Sequence, residues 1–567
     1  MQEVRSGRLV AVTGEELLSA INAAREFLRN AGLKKGDRCA LLAHNSIRWV
    51  ALDLAVMAEG GMVVPLYARQ SPSELVEMMK DCEPSLICCG DEALRNAVIE
   101  HWPEAPSTFI FEEIFAAAVV SPDDSQAGPT GNPDAIHHDV SGIGERPDDT
   151  PQPLAEGDPI TIIYTSGTSG EAKGVILGAG NLNYMLRCTG GRLDSLMGSK
   201  EGSKIGASEA PDRVFHYLPF CFCGSWVLLL TCLSRNSVLT ISTDLNQLVE
   251  EMRLAAPDYF LNVPALLERM RAGIEGQFNQ WGGVRKKVFE KGKDAWFERR
   301  AGTATLFDHL WVTLAGALIF PAIKKKISPN LKALICGSAP LALETQLFFT
   351  MIGLPVLQVY GLTETTAICT MDRPYRVDPG RVGPAIEGIE MRRGPGDEIL
   401  VRGPNLFLGY WNRPRATMDA MRDGWFHTGD QGEADASGNW SITGRIKNLI
   451  VLGSGHNVAP EPIEEMLLRQ LSGAQQVLVV GNGRSFLSAI VTGSVTNVQV
   501  EKALEILNPQ LPHYRRVRAF HLHGEPFTVD NGMLTANGKL KREIIAERFQ
   551  EKIEELYRDR VTSEPRP

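Results

Sequence analysis

The stretch that most constrains this chain is Tyr164–Val175, Tyr-Thr-Ser-Gly-Thr-Ser-Gly-Glu-Ala-Lys-Gly-Val. It follows Pro159-Ile-Thr-Ile-Ile163, a short β-branched run that reads as a buried strand. Glycine lets a backbone approach a ligand closely and turn its N–H groups inward. The hydroxyls of Thr165, Ser166, Thr168 and Ser169 can donate to anionic oxygens, and Lys173 adds a mobile positive charge. Such a strand-then-loop is suited to cradling a polyphosphate. A flexible Gly/Ser surface loop is the alternative reading of the same residues. The spacing is not that of a Walker A loop, because Gly174 follows the lysine.

A chain of 567 residues is too long for one core, so two or more domains are expected. Its 44% hydrophobic and 22% charged residues are those of an ordinary globular protein. A net charge of −10 argues against an electrostatic nucleic-acid binder. Met1–Val10 carries charges but no apolar core of a signal peptide. The ten cysteines show no paired metal-ligand spacing. Cys88-Cys89 and Cys221-Phe-Cys223 sit in apolar runs, which predicts reduced core thiols and a cytoplasmic setting. Leu310–Ile323 is almost wholly apolar with Lys324-Lys325-Lys326 behind it. Fourteen residues fall short of the roughly 20 that span a bilayer as a helix. A buried helix is the first reading, and an interfacial patch with a lysine collar, in peripheral contact with a membrane, is the second.

Residues 10–90 alternate helix and strand. Thr13-Gly-Glu-Glu16 and Ser71-Pro-Ser-Glu74 are capping boxes. They open helices between strands predicted at Asp37–Leu42, Met62–Pro65 and Ser85–Cys89. Repeated β-α-β units imply a parallel sheet with helices on its faces. Ser121–Asp158, rich in proline, glycine and aspartate, reads as a long surface excursion. Gly282–Arg300 is basic and helical in pattern; it suits a solvated helix face, or contact with an anionic cofactor tail or lipid headgroups. Residues 396–445 are turn-rich and strand-like. After Arg445, paired strands at Gln475–Val480 and Phe486–Thr492 and helices at Val498–Leu507 and Lys541–Tyr557 predict a compact α+β unit.

Further segments follow in order: Cys336-Gly-Ser-Ala-Pro340, Gln358-Val-Tyr-Gly-Leu-Thr-Glu-Thr365, Gly424-Trp-Phe-His-Thr-Gly-Asp430, Ile442-Thr-Gly-Arg-Ile-Lys-Asn448 and Leu534-Thr-Ala-Asn-Gly-Lys-Leu-Lys-Arg542. With the phosphate loop, this ordered set resembles the adenylate-forming superfamily of acyl-CoA synthetases, luciferases and peptide-synthetase adenylation domains. Gly36-Asp-Arg38, Pro65-Leu-Tyr67, Val263-Pro-Ala-Leu-Leu-Glu-Arg269 and Val401-Arg-Gly-Pro-Asn405 resemble the long-chain fatty acyl-CoA synthetases within it. So does the insertion-like stretch between Met270 and Leu331. The resemblance implies an α/β fold: a large N-terminal domain of layered βαβ sheets plus a β-rich subdomain (1–444), a hinge (445–447), and a small mobile C-terminal α+β domain (448–567).

The implied reaction has two halves. A carboxylate attacks the α-phosphate of ATP to give an acyl-adenylate, and a thiol then displaces AMP. By motif, Thr165, Ser166, Gly167, Thr168 and Lys173 would hold the β- and γ-phosphates. Thr363 would bond the α-phosphate and Glu364 would ligate Mg²⁺. Tyr360 and Gly361 would lie against adenine, with Gly337, Ser338, Ala339 and Pro340 closing its other side. Asp430 would accept the ribose hydroxyls and Arg445 would add a second ribose contact. Lys539 would bridge the attacking carboxylate and the α-phosphate. Lys447 would be the hinge that swings Lys539 away for the second half. Gly455 would then face the CoA channel, where His456 replaces the family's usual lysine or arginine.

Leu218–Leu230 matches the family's acyl-site segment, and Phe222 stands where many relatives have histidine. Trp226 is either a wall of the acyl tunnel or core. No acidic residue occurs between Arg213 and Thr243, which argues against an amino-acid substrate, whose buried ammonium would go unpaired. The leading expectation is an ATP- and Mg²⁺-dependent acid–thiol ligase acting on a medium- to long-chain fatty acid and CoA. Transfer to a carrier protein, a silent lipid- or nucleotide-binding relative, and a homodimer stay open.

Overall fold

The computed structural model describes residues 1–116, 150–166, 172–198, 210–280, 283–535 and 538–561. The predicted alternation over residues 10–90 builds the middle of a seven-stranded sheet. Its order is Gly409–Tyr410, Ala172–Gly178, Pro159–Ser166, Met62–Leu66, Arg38–Leu42, Leu86–Cys89, Thr108–Ile110. The last five run parallel. Ala172–Gly178 turns back antiparallel on Pro159–Ser166, so these two strands pair with each other directly. Both capping boxes' hydroxyls act as foreseen: Thr13 accepts from the Glu16 N–H and Ser71 from that of Glu74, opening helices Gly14–Asn30 and Pro72–Cys82.

A second, eight-stranded sheet carries Tyr259–Asn262, Ala333–Cys336 and Val356–Tyr360 side by side and parallel. Their carboxyl ends deliver Val263, Gly337 and Gly361 to one edge, where ligands bind in open α/β sheets. The helix Cys223–Leu233 is apolar on every side and lies in the core common to both sheets. A five-stranded antiparallel sheet follows, in which Trp425–Ala434 pairs with Trp440–Arg445. From Ile450 onward the buried side chains form cores of their own, under a three-stranded sheet of Ala474–Val480, Leu487–Gly493 and Val517–His523. All ten cysteines are free, and all but Cys188 are buried. Two segments raised by the sequence, 121–149 of the surface excursion and the loop 167–171, lie outside the described residues.

Two predicted helices come out differently. Lys541–Tyr557 divides into Arg542–Arg548 and Gln550–Val561 at Phe549, whose ring turns into the small core with Phe527 and Ile545. The apolar run is longer than Leu310–Ile323 and is not buried. Helices Leu306–Leu318 and Phe320–Ile327 join into 22 residues that hold an 18-residue window of mean hydropathy 1.6, long and apolar enough to cross a membrane by length and composition, yet only 22% of that window is buried. Ala315, Ile319, Phe320, Ile323 and Ile327 meet the core. Leu306, Phe307, Leu310 and Leu318 face outward. A run apolar all round predicts burial on all sides, but neighbouring elements cover only one.

Candidate functional site

Tyr360 ends its strand, and the chain must fold back at once. A Cβ on Gly361 would lie 2.2 Å from the Ala367 carbonyl oxygen, so only glycine permits this return. The short 3-10 turn Thr363–Thr365 then places Thr363 and Glu364 in the wall of a cavity of about 2770 Å³. Thr365 is turned inward and receives the Leu362 N–H at 2.9 Å. The Tyr410 hydroxyl donates to Glu364 Oε1 at 2.8 Å; Oε2 makes no hydrogen bond among the described residues. Lys173 lies with its Nζ 5.2 Å from the Tyr410 ring centre, a cation–π contact. Lys173, Tyr410 and Glu364 thus stand as one group, fastened because Gly409–Tyr410 pairs with the strand carrying Lys173.

Asp430 and Arg445 sit opposite each other on paired strands, which is why residues fifteen apart in sequence meet. Arg445 Nε donates to Asp430 Oδ1 at 2.7 Å, and the Tyr360 hydroxyl donates to Oδ2 at 2.9 Å. Burial, then the Asp430 charge, pushes the Tyr360 phenol well above its usual range. It stays a neutral donor. For Arg445, burial works against the charge, but Asp430, Tyr360 and Glu364 together outweigh it and raise its pKa.

Lys539 reaches this group from the C-terminal unit. A tight turn holds it: Thr535 Oγ1 accepts the Lys539 N–H at 3.1 Å, and the Thr535 N–H donates back to the Lys539 carbonyl at 2.8 Å. Its side chain lies exposed in the cavity wall, close enough to the surrounding protein to lose part of its hydration. That desolvation, followed by repulsion from Arg445, lowers its pKa, and attraction to Asp430 and Glu364 opposes the shift. One residue pair beyond, Lys541 Nζ meets Glu74 of the seven-stranded sheet's flanking helix at 3.0 Å, a contact between the two units.

Thr165, Lys173, Gly337, Ser338, Ala339, Pro340, Tyr360, Gly361, Thr363, Glu364, Asp430, Arg445, Lys447 and Lys539 therefore share one cavity wall. Gly167 and Thr168 lie outside the described residues, and of Ser166 only the backbone, ending its strand, is described. Phe222 lines the cavity with its ring 5.7 Å from Tyr67. Trp226 does not: it is wholly buried, with Nε1 donating to Asp53 Oδ2 at 3.1 Å. Helical spacing explains this, since Cys223, Val227 and Leu228 take the cavity side. Gly455 is also off the wall, at an exposed turn between Ile450–Val451 and Asn457–Val458.

Sequence reasoning missed Tyr410 and the bracket behind the phosphate hairpin. Asp81 accepts from the Tyr164 hydroxyl at 2.6 Å and pairs with Arg413 at 3.0 Å, while its carbonyl accepts Trp411 Nε1 at 3.0 Å. The aromatic pair Tyr410-Trp411 after Gly409, in a turn-rich region, was the available signal. Val227, Leu228, Leu261, Ile335, Ile368 and Met371 line an apolar part of the cavity, backed by the large core.

Fold and site together define a two-unit α/β protein with its polar chemistry in the cleft between the units. Residues 4–411 match the family model for AMP-binding enzymes, and 447–561 match the model for the AMP-binding enzyme C-terminal domain. The chain belongs to the AMP-binding enzyme family. It is 26% identical to the long-chain-fatty-acid–CoA ligase FadD15 of Mycobacterium bovis, over 98% of this chain and 94% of that one. It is also 26% identical to the long-chain-fatty-acid–[acyl-carrier-protein] ligase AEE15 of Arabidopsis thaliana, over 96% of this chain and 82% of that one. Among solved structures, ATP-bound MatB from Rhodopseudomonas palustris superposes with a TM-score of 0.70 at 23% identity, covering 97% of this chain and 96% of the other.

Proposed function

We propose that this chain activates a medium- to long-chain fatty acid with ATP, forming an acyl-adenylate, and then transfers the acyl group to CoA. One observation carries the reading: Lys539 of the C-terminal unit faces Glu364, Asp430 and Arg445 of the large one across a single cavity. A cation there meets the charge that concentrates between carboxylate and α-phosphate in the transition state. Thr165 and Lys173 hold the terminal phosphates, Thr363 the α-phosphate, and Tyr360, Asp430 and Arg445 the nucleoside. Asp430 already accepts one bond on each oxygen, and its remaining lone pairs suit ribose hydroxyls.

Glu364, whose Oε2 makes no hydrogen bond among the described residues, would hold a hard divalent cation completed by phosphate oxygens. Bound Mg²⁺ would supply neutralisation of the phosphate charge. Residues 445–447 serve as the hinge between a large domain ending at 444 and a small one starting at 448. Arg445 is anchored through Asp430, whereas Lys447 is exposed on a short 3-10 turn.

The apolar part of the cavity takes the acyl chain, each buried methylene adding roughly 0.8 kcal/mol. None of the residues lining the cavity between 213 and 243 is acidic. A second reading replaces CoA with a carrier protein, as the name of the Arabidopsis relative suggests. The test is an AMP-release screen of acids from acetate to stearate with CoA, with a phosphopantetheinylated carrier protein, and with neither. Release that rises with chain length and requires CoA supports the proposal; ATP left intact with every acid ends it.

A further inference from the structure

The helical hairpin of Val284–Ala301 and Leu306–Leu318, continued by Phe320–Ile327, plays no part in the cavity wall. Its inner side is rigid. Gly292 lets the two helices close so tightly that a Cβ there would lie 2.3 Å from that of Ala315. Ile319, Phe320 and Ile323 are sunk in the core beneath. Its outer side is an exposed apolar row: Leu306 90%, Phe307 77%, Leu310 63% and Leu318 62% exposed. Leu306, Phe307, Leu310 and Leu318 fall on one flank at helical spacing, with the exposed Thr313 among them and Leu314 turned back against the core. Val284, 78% exposed, stands at the other helix's start.

Charge surrounds this row. Residues 283–327 hold ten lysines and arginines against four acids, in a chain whose net charge is −10. Three of the four acids are occupied locally: Glu290 pairs with Lys286, Glu298 accepts from the Thr303 hydroxyl and Asp308 caps its own helix through Thr305. Lys287, Arg299, Arg300 and Lys325 are exposed and form no ion pair among the described residues. An apolar flank collared by unneutralised cations is the composition of a helix that lies in a lipid interface, apolar side in the acyl boundary and cations at the headgroups.

We propose that this hairpin docks the protein on an anionic lipid surface. It lies on the bilayer rather than crossing it, because spanning would pull Ala315, Ile319, Phe320 and Ile323 out of the core. A second copy of the chain is a poor occupant, since a twofold contact would bring the same cationic excess against itself. An acidic leaflet complements it, since each cation near the surface is attracted to the negative surface potential. The preceding helix, Pro264–Gln280, begins in the cavity wall at Pro264 and ends at the hairpin's base. The docked surface and the cleft are thus joined by one helix.

The test is flotation of the full-length protein with vesicles of phosphatidylcholine alone and of phosphatidylcholine with equal phosphatidylglycerol. Wild type should float with the anionic vesicles only, less so as salt rises. Leu306→Asp/Phe307→Asp/Leu310→Asp should reduce binding at least about tenfold. Arg299→Glu/Arg300→Glu/Lys325→Glu should reduce it on the order of a hundredfold. Melting curves should match wild type; if the triple apolar variant does not fold, Phe307→Asp alone carries the same comparison. Wild type that stays in solution overturns the proposal, as do variants that float like wild type. So does an apolar variant that turns a dimer into a monomer with vesicle binding unchanged, which would assign the row to a second copy.

Discussion

The two halves of the cleft are held in place by different forces. On the large unit, Tyr360, Asp430 and Arg445 are tied to one another and to sheet ends by hydrogen bonds of 2.7–2.9 Å, behind which Asp430 is 7% exposed. On the small unit, Lys539 sits on a turn of its own, and the nearby tether to the large unit is the Lys541–Glu74 pair, with Glu74 41% exposed. Pairs of that kind contribute about 0–1 kcal/mol. In the proposed reaction the nucleoside half would therefore be built in advance, while the half that would carry the reacting cation is tethered beside it by a partly exposed ion pair. That asymmetry is what a two-step reaction using one cleft twice requires.

Lys539→Ala strains the comparison most. ATP–pyrophosphate exchange should fall about 10²–10³-fold, while thioester formation from supplied acyl-adenylate stays within a few-fold. Equal loss of both would place Lys539 in the permanent half. The next effect concerns the rigid side's core. Asp53 is fully buried, and burial raises its pKa to about 7 against the opposing hydrogen bond from Trp226. A raised carboxyl pKa means the native state holds more protons than the unfolded one between about pH 4 and about pH 7. Stability should fall across that window and level off above it. Asp53→Asn should remove the slope, changing the mutant-minus-wild-type difference by on the order of 2–4 kcal/mol between its ends, measured by urea unfolding at stepped pH. An unchanged slope would show that Asp53 does not cause it.

Lys447→Pro stiffens the proposed hinge and should slow the CoA step by about tenfold or more, with pyrophosphate exchange retained; a normal CoA step removes the hinge assignment. Glu74→Gln should have the smallest effect. Loss of the Lys541 pair should lower exchange no more than about fivefold, the equivalent of 1 kcal/mol, and leave the CoA step intact. A larger loss would mean that the small unit is not loosely held.

Much of the site was legible because it is local. Glycine-hydroxyl-lysine loops, a Thr-Glu pair after a strand and a Gly-Lys near the end carry their chemistry in adjacent residues. Asp430 and Arg445 could be named separately, but their ion pair is a property of strand register. Trp226 shows the limit in the other direction. An aromatic residue in an apolar segment has two equally good homes, and only the helix's rotation sent it to Asp53 rather than into the cavity.

The sequence alone determined the alternation of helix and strand over residues 10–90, the helix starts at Thr13 and Ser71, the family, and the residues bearing charge. Those follow from short-range chemistry that a linear pattern records. Tertiary structure alone decided that Tyr410 reaches Glu364, that Asp81 braces the phosphate hairpin, and that the apolar run at Leu306–Ile327 is covered on one side only. Those outcomes depend on which surfaces distant segments leave open, and hydrophobicity has no direction until a neighbour supplies one.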